Sequence, residues 1–275
     1  MEHILSLSYG KDSLACLGAI EQLGWPLDRI VHAEVWATDT IPADLPPMVE
    51  FKKKADEIIK ARWGIEVEHF FATDPKTGNK RTYGGRFYTP YMHCPKNLGH
   101  KIWSGYGKNG IYGFPSRAKP WCNSQLKVAA INKSKSSKDI SYIGIASDEQ
   151  NRFHNLTDRK KSPLVEAVWD EAYCRKWCEE NDLLSPIYTT SARGGCWFCH
   201  NQSVDQLLLL RKNYPEYWAL MLEWDKDSPV TFRADGHTVH DFDRRFQLED
   251  EGFIKPGERF HWDMLDSELL NYRMF

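Results

Sequence analysis

A parallel, doubly wound α/β fold with a smaller helical C-terminal part is predicted for this 275-residue chain by three observations. Short apolar runs alternate with segments of helical period from His3 to Ala146, the pattern of a parallel sheet covered by helices. A cluster of Ser, Gly and Asp, Ser8 to Ser13, stands where the first run passes into the first helix. With 41% hydrophobic and 27% charged residues, the chain can bury a sizeable core and lacks a disordered composition.

The first strand is His3 to Leu7, and the helix after the cluster carries Leu14, Leu17, Gly18 and Ile20 at helical spacing. Gly24-Trp25-Pro26 ends that helix, a glycine stop followed by a residue that cannot continue it. A second strand, Ile30 to Ala37, runs into Thr38-Asp39; a helix from Pro47 to Trp63 turns Val49, Ala55, Ile58 and Ile59 inward; a third strand is Ile65 to Phe71. From Asp74 to Pro120 neither period holds. Loops this long are functional or disordered, and eight aromatic residues argue against disorder. A helix from Ser124 to Asn132 and a strand Ile140 to Ala146 resume the alternation. Helices follow over Trp169 to Asn181, Ser203 to Asn213 and Pro215 to Asp225, and the polar, aromatic tail beyond Pro229 takes no assignment. The chain therefore divides into a first domain over 1–165, interrupted by an insertion over 75–121, and a helical C-terminal region over 166–275.

The net charge of −2 conceals a segregation. From Pro75 to Lys138 there is no Asp or Glu and there are thirteen Lys or Arg, so 23 of the 36 basic residues face all 38 acidic ones elsewhere, a balance of −15. A basic surface on an acidic body focuses anions. The chain opens on no basic, apolar and small-residue leader pattern, and no apolar run approaches the roughly 18 residues of a membrane span. Both features predict a cytoplasmic protein, in which seven cysteines are thiols, metal ligands or buried hydrophobes rather than a disulfide framework.

Ser8-Tyr9-Gly10-Lys11-Asp12-Ser13 places two hydroxyls, a glycine that admits close backbone approach and several N–H groups at a positive helix end. These are the parts of an anion site. The segment is not a Walker A loop, because Asp12 follows Gly10-Lys11 where Ser or Thr is required. The plainer reading is a capped helix start, with Asp12 or Ser13 closing the first turn.

The same hexapeptide resembles the SGGxDS signature of PP-loop ATP pyrophosphatases and of the PAPS reductase family, with Tyr9 in place of the first glycine. Trp121-Cys122-Asn123-Ser124-Gln125-Leu126-Lys127 resembles that family's Cys-x-x-x-Leu-Lys segment, and Gly144 to Arg152 its Gly-x-x-x-Asp-Glu-x-x-Arg strand end. Ser185-Pro186-Ile187-Tyr188 leading to Gly195-Cys196-Trp197-Phe198-Cys199 is similar to its Pro-x-Tyr and Gly-Cys-x-x-Cys. Four ordered matches span about two thirds of the chain. In the family the end of strand two contacts the adenosine, so Thr38 and Asp39 match; Asp39 is equally placed to be an N-cap or turn residue.

Cys196-x-x-Cys199 alone is ambiguous between a metal site, a redox dithiol and a packing turn. With Cys122 it resembles the family branch that binds a [4Fe–4S] cluster through a Cys-Cys pair and a later Cys-x-x-Cys. Here the pair is Trp121-Cys122, which leaves three ligands and an open fourth position unless Cys94 fills it. Zinc is the alternative metal, and three-cysteine clusters resemble those of non-redox tRNA thiolases. Cys174 and Cys178, one helical turn apart, are expected in the core, as is Cys16.

The resemblance implies an enzyme that binds ATP or another adenine nucleotide with Mg²⁺ at Ser8 to Ser13, Thr38 and Asp39. It implies cleavage at the α-phosphate to adenylate an acceptor for sulfur or amine transfer, with Lys11, Asp12, Lys127 and Arg152 catalytic and the cluster delivering sulfur. Sulfonucleotide reductases carry a C-terminal Glu-Cys-Gly-x-His segment, and no cysteine follows Cys199. A divergent reductase with Cys94 as nucleophile is therefore the second reading. A non-catalytic nucleotide- or nucleic-acid-binding subunit is the third. Cations interleaved with aromatics in the basic stretch point to tRNA or DNA as a partner. The tail cluster His237, His240, Asp241, Asp243, Arg244 and Arg245 reads as solvated surface.

Overall fold

A computed structural model describes residues 1–90, 92–93, 104–105, 110–116, 120–189, 194–255 and 259–265. The elements run β1 (His3–Leu7), α1 (Lys11–Leu23), β2 (Arg29–Glu34), α2 (Pro46–Trp63), β3 (Val67–Phe71), α3 (Tyr83–Phe87), β4 (Met92–His93) and β5 (Ser104–Gly105). A π-helical segment (Asn123–Val128) continues into α4 (Ala129–Ser134), followed by β6 (Ile140–Tyr142), β7 (Lys160–Lys161), α5 (Pro163–Glu166) and α6 (Glu171–Glu180). The chain closes with α7 (Val204–Asn213), α8 (Pro215–Asp227) and α9 (Val239–Asp250).

Two compact units divide these elements: Met1–Tyr83 with Trp121–Trp197, and Gly84–Pro120 with Phe198–Phe275. The division expected at residue 165 lies inside the first unit, because α5 and α6 pack on α1.

In the first unit five strands form an all-parallel sheet in the order β3-β2-β1-β6-β7. The central strand β1 buries Ile4, Leu5 and Leu7, as a strand covered on both faces must. Leu5 pairs with Ile30 of β2 and with Tyr142 of β6, and Leu7 pairs with His32. The core gathers Leu14, Leu17 and Ile20 of α1 with Trp177 and Leu183. Cys16, Cys174 and Cys178 are fully buried within it, as expected of packing thiols. Gly18 is required there: a Cβ would stand 2.4 Å from the Trp177 ring.

The second unit has an aromatic core. Phe87 meets Phe114 and Trp224, Phe198 meets Trp224, and Phe232 meets Phe114 and Phe242, most of them edge to face. Two of its helices begin on reciprocal caps, Ser203 with Gln206 at α7 and Thr238 with Asp241 at α9. The tail that took no assignment thus carries a helix of twelve residues. Asp243 of that tail is a structural acceptor and not solvated surface, taking hydrogen bonds from Arg211 at 2.9 Å and Trp218 at 2.7 Å. His237 stacks on Trp262 with ring centroids 3.6 Å apart. No described helix is long and apolar enough to cross a membrane.

Candidate functional site

The C-terminal end of the central strand delivers the chain straight into Ser8, and α1 starts at Lys11. Gly10 is the N-cap residue, and no side chain caps it. The capped-start reading of Asp12 or Ser13 is therefore not what is built. Instead the two hydroxyls close on each other. Ser8 N–H donates to Ser13 Oγ at 3.1 Å, the two Oγ atoms are 3.0 Å apart, and the Ser13 hydroxyl donates to Gly10 O at 3.0 Å. The Gly10 N–H reaches Ser8 Oγ at 3.4 Å. The Lys11 N–H donates to the phenol oxygen of Tyr188 at 3.0 Å. Hydroxyl oxygens thus stand where anion oxygens accept from helix-start N–H groups.

Around this turn the first unit assembles charge. Lys11 Nζ lies 2.7 Å from Asp12 and 3.1 Å from Glu171. Burial pulls its pKa down, but the two carboxylates outweigh that and hold it above the ordinary lysine value. Burial raises the Asp12 pKa, against the pull of Lys11. One oxygen each of Asp12, Glu149 and Glu171 lies within 4.8 Å of the others. Such a set suits a hard divalent cation, with the Lys11 ammonium now against two of its members. Glu149 also takes Arg152 on both oxygens, at 2.6 and 2.7 Å, and the Ala146 N–H at 3.1 Å. Behind the turn, Gly144 comes so close that a Cβ would stand 2.7 Å from the backbone of Asp12 and Ser13. The Cys178 thiol donates to Lys11 O at 3.2 Å.

Ser8, Gly10, Lys11 and Asp12 are thus joined with Tyr188, and Arg152 joins the cluster through Glu149. Thr38 and Asp39 lie in a turn of their own, the Thr38 hydroxyl accepting the Ile41 N–H at 3.1 Å and the Asp39 carbonyl accepting Lys80 at 2.7 Å. Lys127 is exposed on the π-helical segment, a helix type that gathers at functional sites. Cys122 precedes that segment and is half-buried, as is Cys196. The neighbour of Cys196, Trp197, is bonded to the turn after β2 through Ala43 O and Pro42 O, each at 2.9 Å. Cys199 belongs to the second unit, where Arg233 donates to the carbonyls of His200 and Gln202 and so clamps the turn after it. Cys94 lies outside the described residues, as do Lys96, Lys101, Lys108, Arg117 and Lys119 of the basic stretch.

The sequence reading missed a polar cluster beneath the loop. Tyr9 is fully buried, and its hydroxyl donates to Asp56 of α2 and lies 3.3 Å from His69 Nε2 of β3. His69 bridges Asp56 at 2.9 Å and Glu34 at 3.0 Å. Those carboxylates push its pKa up to about 9, and it pulls that of Glu34 down. His32 Nδ1–H donates to Leu7 O at 2.8 Å, so its Nε2 accepts from Lys52 at 2.8 Å, and Lys52 reaches Asp44 at 2.5 Å. Burial, then Lys52, hold His32 neutral. A polar residue inside the apolar run Ile30-Val31-His32-Ala33 was the one available signal. No protein-family model matches the chain, and no curated protein matches it in sequence.

Proposed function

We propose that this chain is a PP-loop enzyme akin to the PAPS reductase family, binding ATP or a related adenine nucleotide at Ser8 to Ser13 and cleaving it at the α-phosphate. One observation carries the reading: α1 starts without a side-chain cap at the end of the central parallel strand, with two serine hydroxyls 3.0 Å apart at its mouth. The N–H groups of Gly10 and Lys11, which here meet only the hydroxyl oxygens of Ser8 and Tyr188, and the helix dipole favour a phosphate there. The strand order also supports a doubly wound sheet, since β2 and β6 flank β1 on opposite sides, a switch point of the kind where α/β proteins bind ligands. An acceptor oxygen or nitrogen attacks the α-phosphorus, the bond to the β-phosphate oxygen breaks, and pyrophosphate leaves as the acceptor is adenylated. Lys11 and Arg152 offset the phosphate charge by exchanging carboxylate partners, Lys127 adds a cation, and Asp12 with Glu149 and Glu171 are the oxygens for Mg²⁺. Cys122, Cys196, Cys199 and Cys94 are the candidate thiolates for a [4Fe–4S] cluster or zinc, whose chemistry would be sulfur delivery to an acceptor such as a nucleic acid base.

A non-catalytic binding subunit is favoured by one specific observation, that Lys11 and Arg152 are both already ion-paired. Calorimetry with ATP and analysis for AMP and pyrophosphate separate the two. Wild type binds ATP and Ser8→Ala/Ser13→Ala binds at least about tenfold more weakly, through two lost hydrogen bonds to a charged ligand. Equal affinity in the folded double variant removes the loop from the site, and binding without pyrophosphate release assigns a binding subunit.

A further inference from the structure

Tyr9 is the residue of the loop whose backbone is left-handed, at φ +56°. Glycine adopts that region freely, whereas an L side chain adopts it at a cost that surrounding contacts must offset. Here the contacts are specific. The phenol lies edge-on to His32 with centroids 4.8 Å apart, the Lys52 ammonium is 5.2 Å from the ring centre, and the hydroxyl is anchored on Asp56. Since the side chain is fully buried, it acts on the loop from beneath and does not line its mouth.

We propose that Tyr9 is a positioning residue that holds the phosphate loop in its anion-binding shape through the Asp56–His69–Glu34 chain, so that the loop follows the charge on His69. Every element packed against the phenol contributes a titratable or charged group: Glu34 and His32 from β2, Lys52 and Asp56 from α2, His69 from β3, and Asp44 from the segment before α2. Asp56 accepts Tyr9 on one oxygen and His69 on the other. While His69 is an imidazolium it donates to both Asp56 and Glu34. A neutral ring donates only once, leaving one carboxylate without its donor and two anions facing each other across the ring. His69 makes that change near pH 9. Burial and Asp56 keep the phenol itself protonated well beyond that point. His32 is neutral throughout and holds the carbonyl of Leu7, which fixes the other end of the entry to the loop.

The affinity arm of this inference rests on the nucleotide reading; the structural arm does not. The test uses the whole chain, with Tyr9→Phe, which keeps the ring, and His69→Gln, which keeps a donor without the charge. Amide hydrogen exchange without ligand is expected to quicken about tenfold over Ser8 to Ser13 in Tyr9→Phe, the effect of one lost hydrogen bond to a carboxylate. In wild type, exchange of these amides rises beyond its intrinsic pH dependence between about pH 8 and 10, and in either variant that extra rise is absent. ATP affinity in wild type falls about tenfold over the same interval, and in Tyr9→Phe it is lower and flat. Loop exchange equal to wild type in folded Tyr9→Phe overturns the positioning role, whether or not ATP binds. A persisting extra rise in folded His69→Gln overturns the link to His69, and does so even if Tyr9→Phe fails to fold. Wild type that binds neither ATP nor pyrophosphate, with exchange behaving as expected, overturns the nucleotide reading and upholds the positioning role.

Discussion

His69 owes its charge at neutral pH to two carboxylates on neighbouring elements, Asp56 on α2 and Glu34 on β2. A histidine whose pKa is higher folded than unfolded stabilises the fold fully below the unfolded value, and that contribution is lost as pH rises through the folded one. For His69 the window lies between the ordinary value of 6.5 and about 9. Because His69 is partly exposed, solvent screening reduces what the shift alone implies, at about 1.4 kcal/mol per unit, to about 1–2 kcal/mol. Lys135, lowered by burial to about 8, adds stability with rising pH over the upper part of the same range, so the comparison is between the two proteins: in denaturant melts His69→Gln should be less stable than wild type at pH 6.5, and the difference should close by pH 9. A difference that stays constant from pH 6.5 to 9 would show that the two carboxylates do not hold the proton. The same logic separates His32, only two positions before Glu34: buried and beside Lys52, it is neutral in the fold, so its slope has the opposite sign and lies mainly below pH 6.5.

At the scale of elements, two glycines allow α1 to pack closely, one within the helix and one against its first turn. Gly18 admits the Trp177 ring and Gly144 admits the backbone of Asp12 and Ser13. Alanine at either site forces overlap, which costs about 1–3 kcal/mol in a packed interior. Both Gly18→Ala and Gly144→Ala should lower the melting temperature, but only Gly144→Ala should also weaken ATP binding, because it displaces the first turn of α1. Equal loss of affinity in the two variants would argue that binding merely follows global stability. The alternation from β1 to β3 was legible because each strand has apolar residues at its centre or end, such as Leu5 and Leu7, Ile30 and Val31, and Phe70 and Phe71, and Gly24 and Gly64 stop α1 and α2 with left-handed φ values of 63° and 69°. The π-helical segment was not, since a change of hydrogen-bond register leaves composition untouched. β6 ends at Tyr142, short of the run to Ala146, where the chain turns against the loop at Gly144. α9 escaped notice because Val239, Phe242 and Phe246 are set among acids and arginines, although its cap pair Thr238 and Asp241 was there to read. The phosphate loop is six contiguous residues and could be read; the cluster beneath it joins Tyr9 to Asp56 and His69 across 47 and 60 positions, a relation that only the folded sheet creates.

For the whole molecule the unevenness of charge matters more than its sum. In the first unit, cations from both ends of the acid-free stretch converge: Lys133 of α4 bonds Thr73 just beyond β3, and Arg81 donates to Gln125 O at 3.4 Å. Lys76, Lys127 and Lys138 are exposed in the same stretch. Arg81 has an acid, Asp74, at 3.8 Å, whereas for Lys76, Lys80 and Lys133 no carboxylate of the described residues lies within ion-pair distance. A polyanion bound across this face releases counterions, so its affinity should fall steeply with salt, with a slope that drops by about one for each phosphate contact removed. Anisotropy titrations with tRNA, single-stranded DNA and duplex DNA at several salt concentrations measure that slope. Lys76→Glu/Lys127→Glu/Lys133→Glu should weaken binding and flatten its salt dependence, while reversal at Lys176, exposed beside Glu180 on α6, should leave both unchanged. If wild type shows no salt-sensitive affinity for any of the three nucleic acids, the basic face serves small anions, and the acceptor of the proposed adenylation must be sought among small molecules.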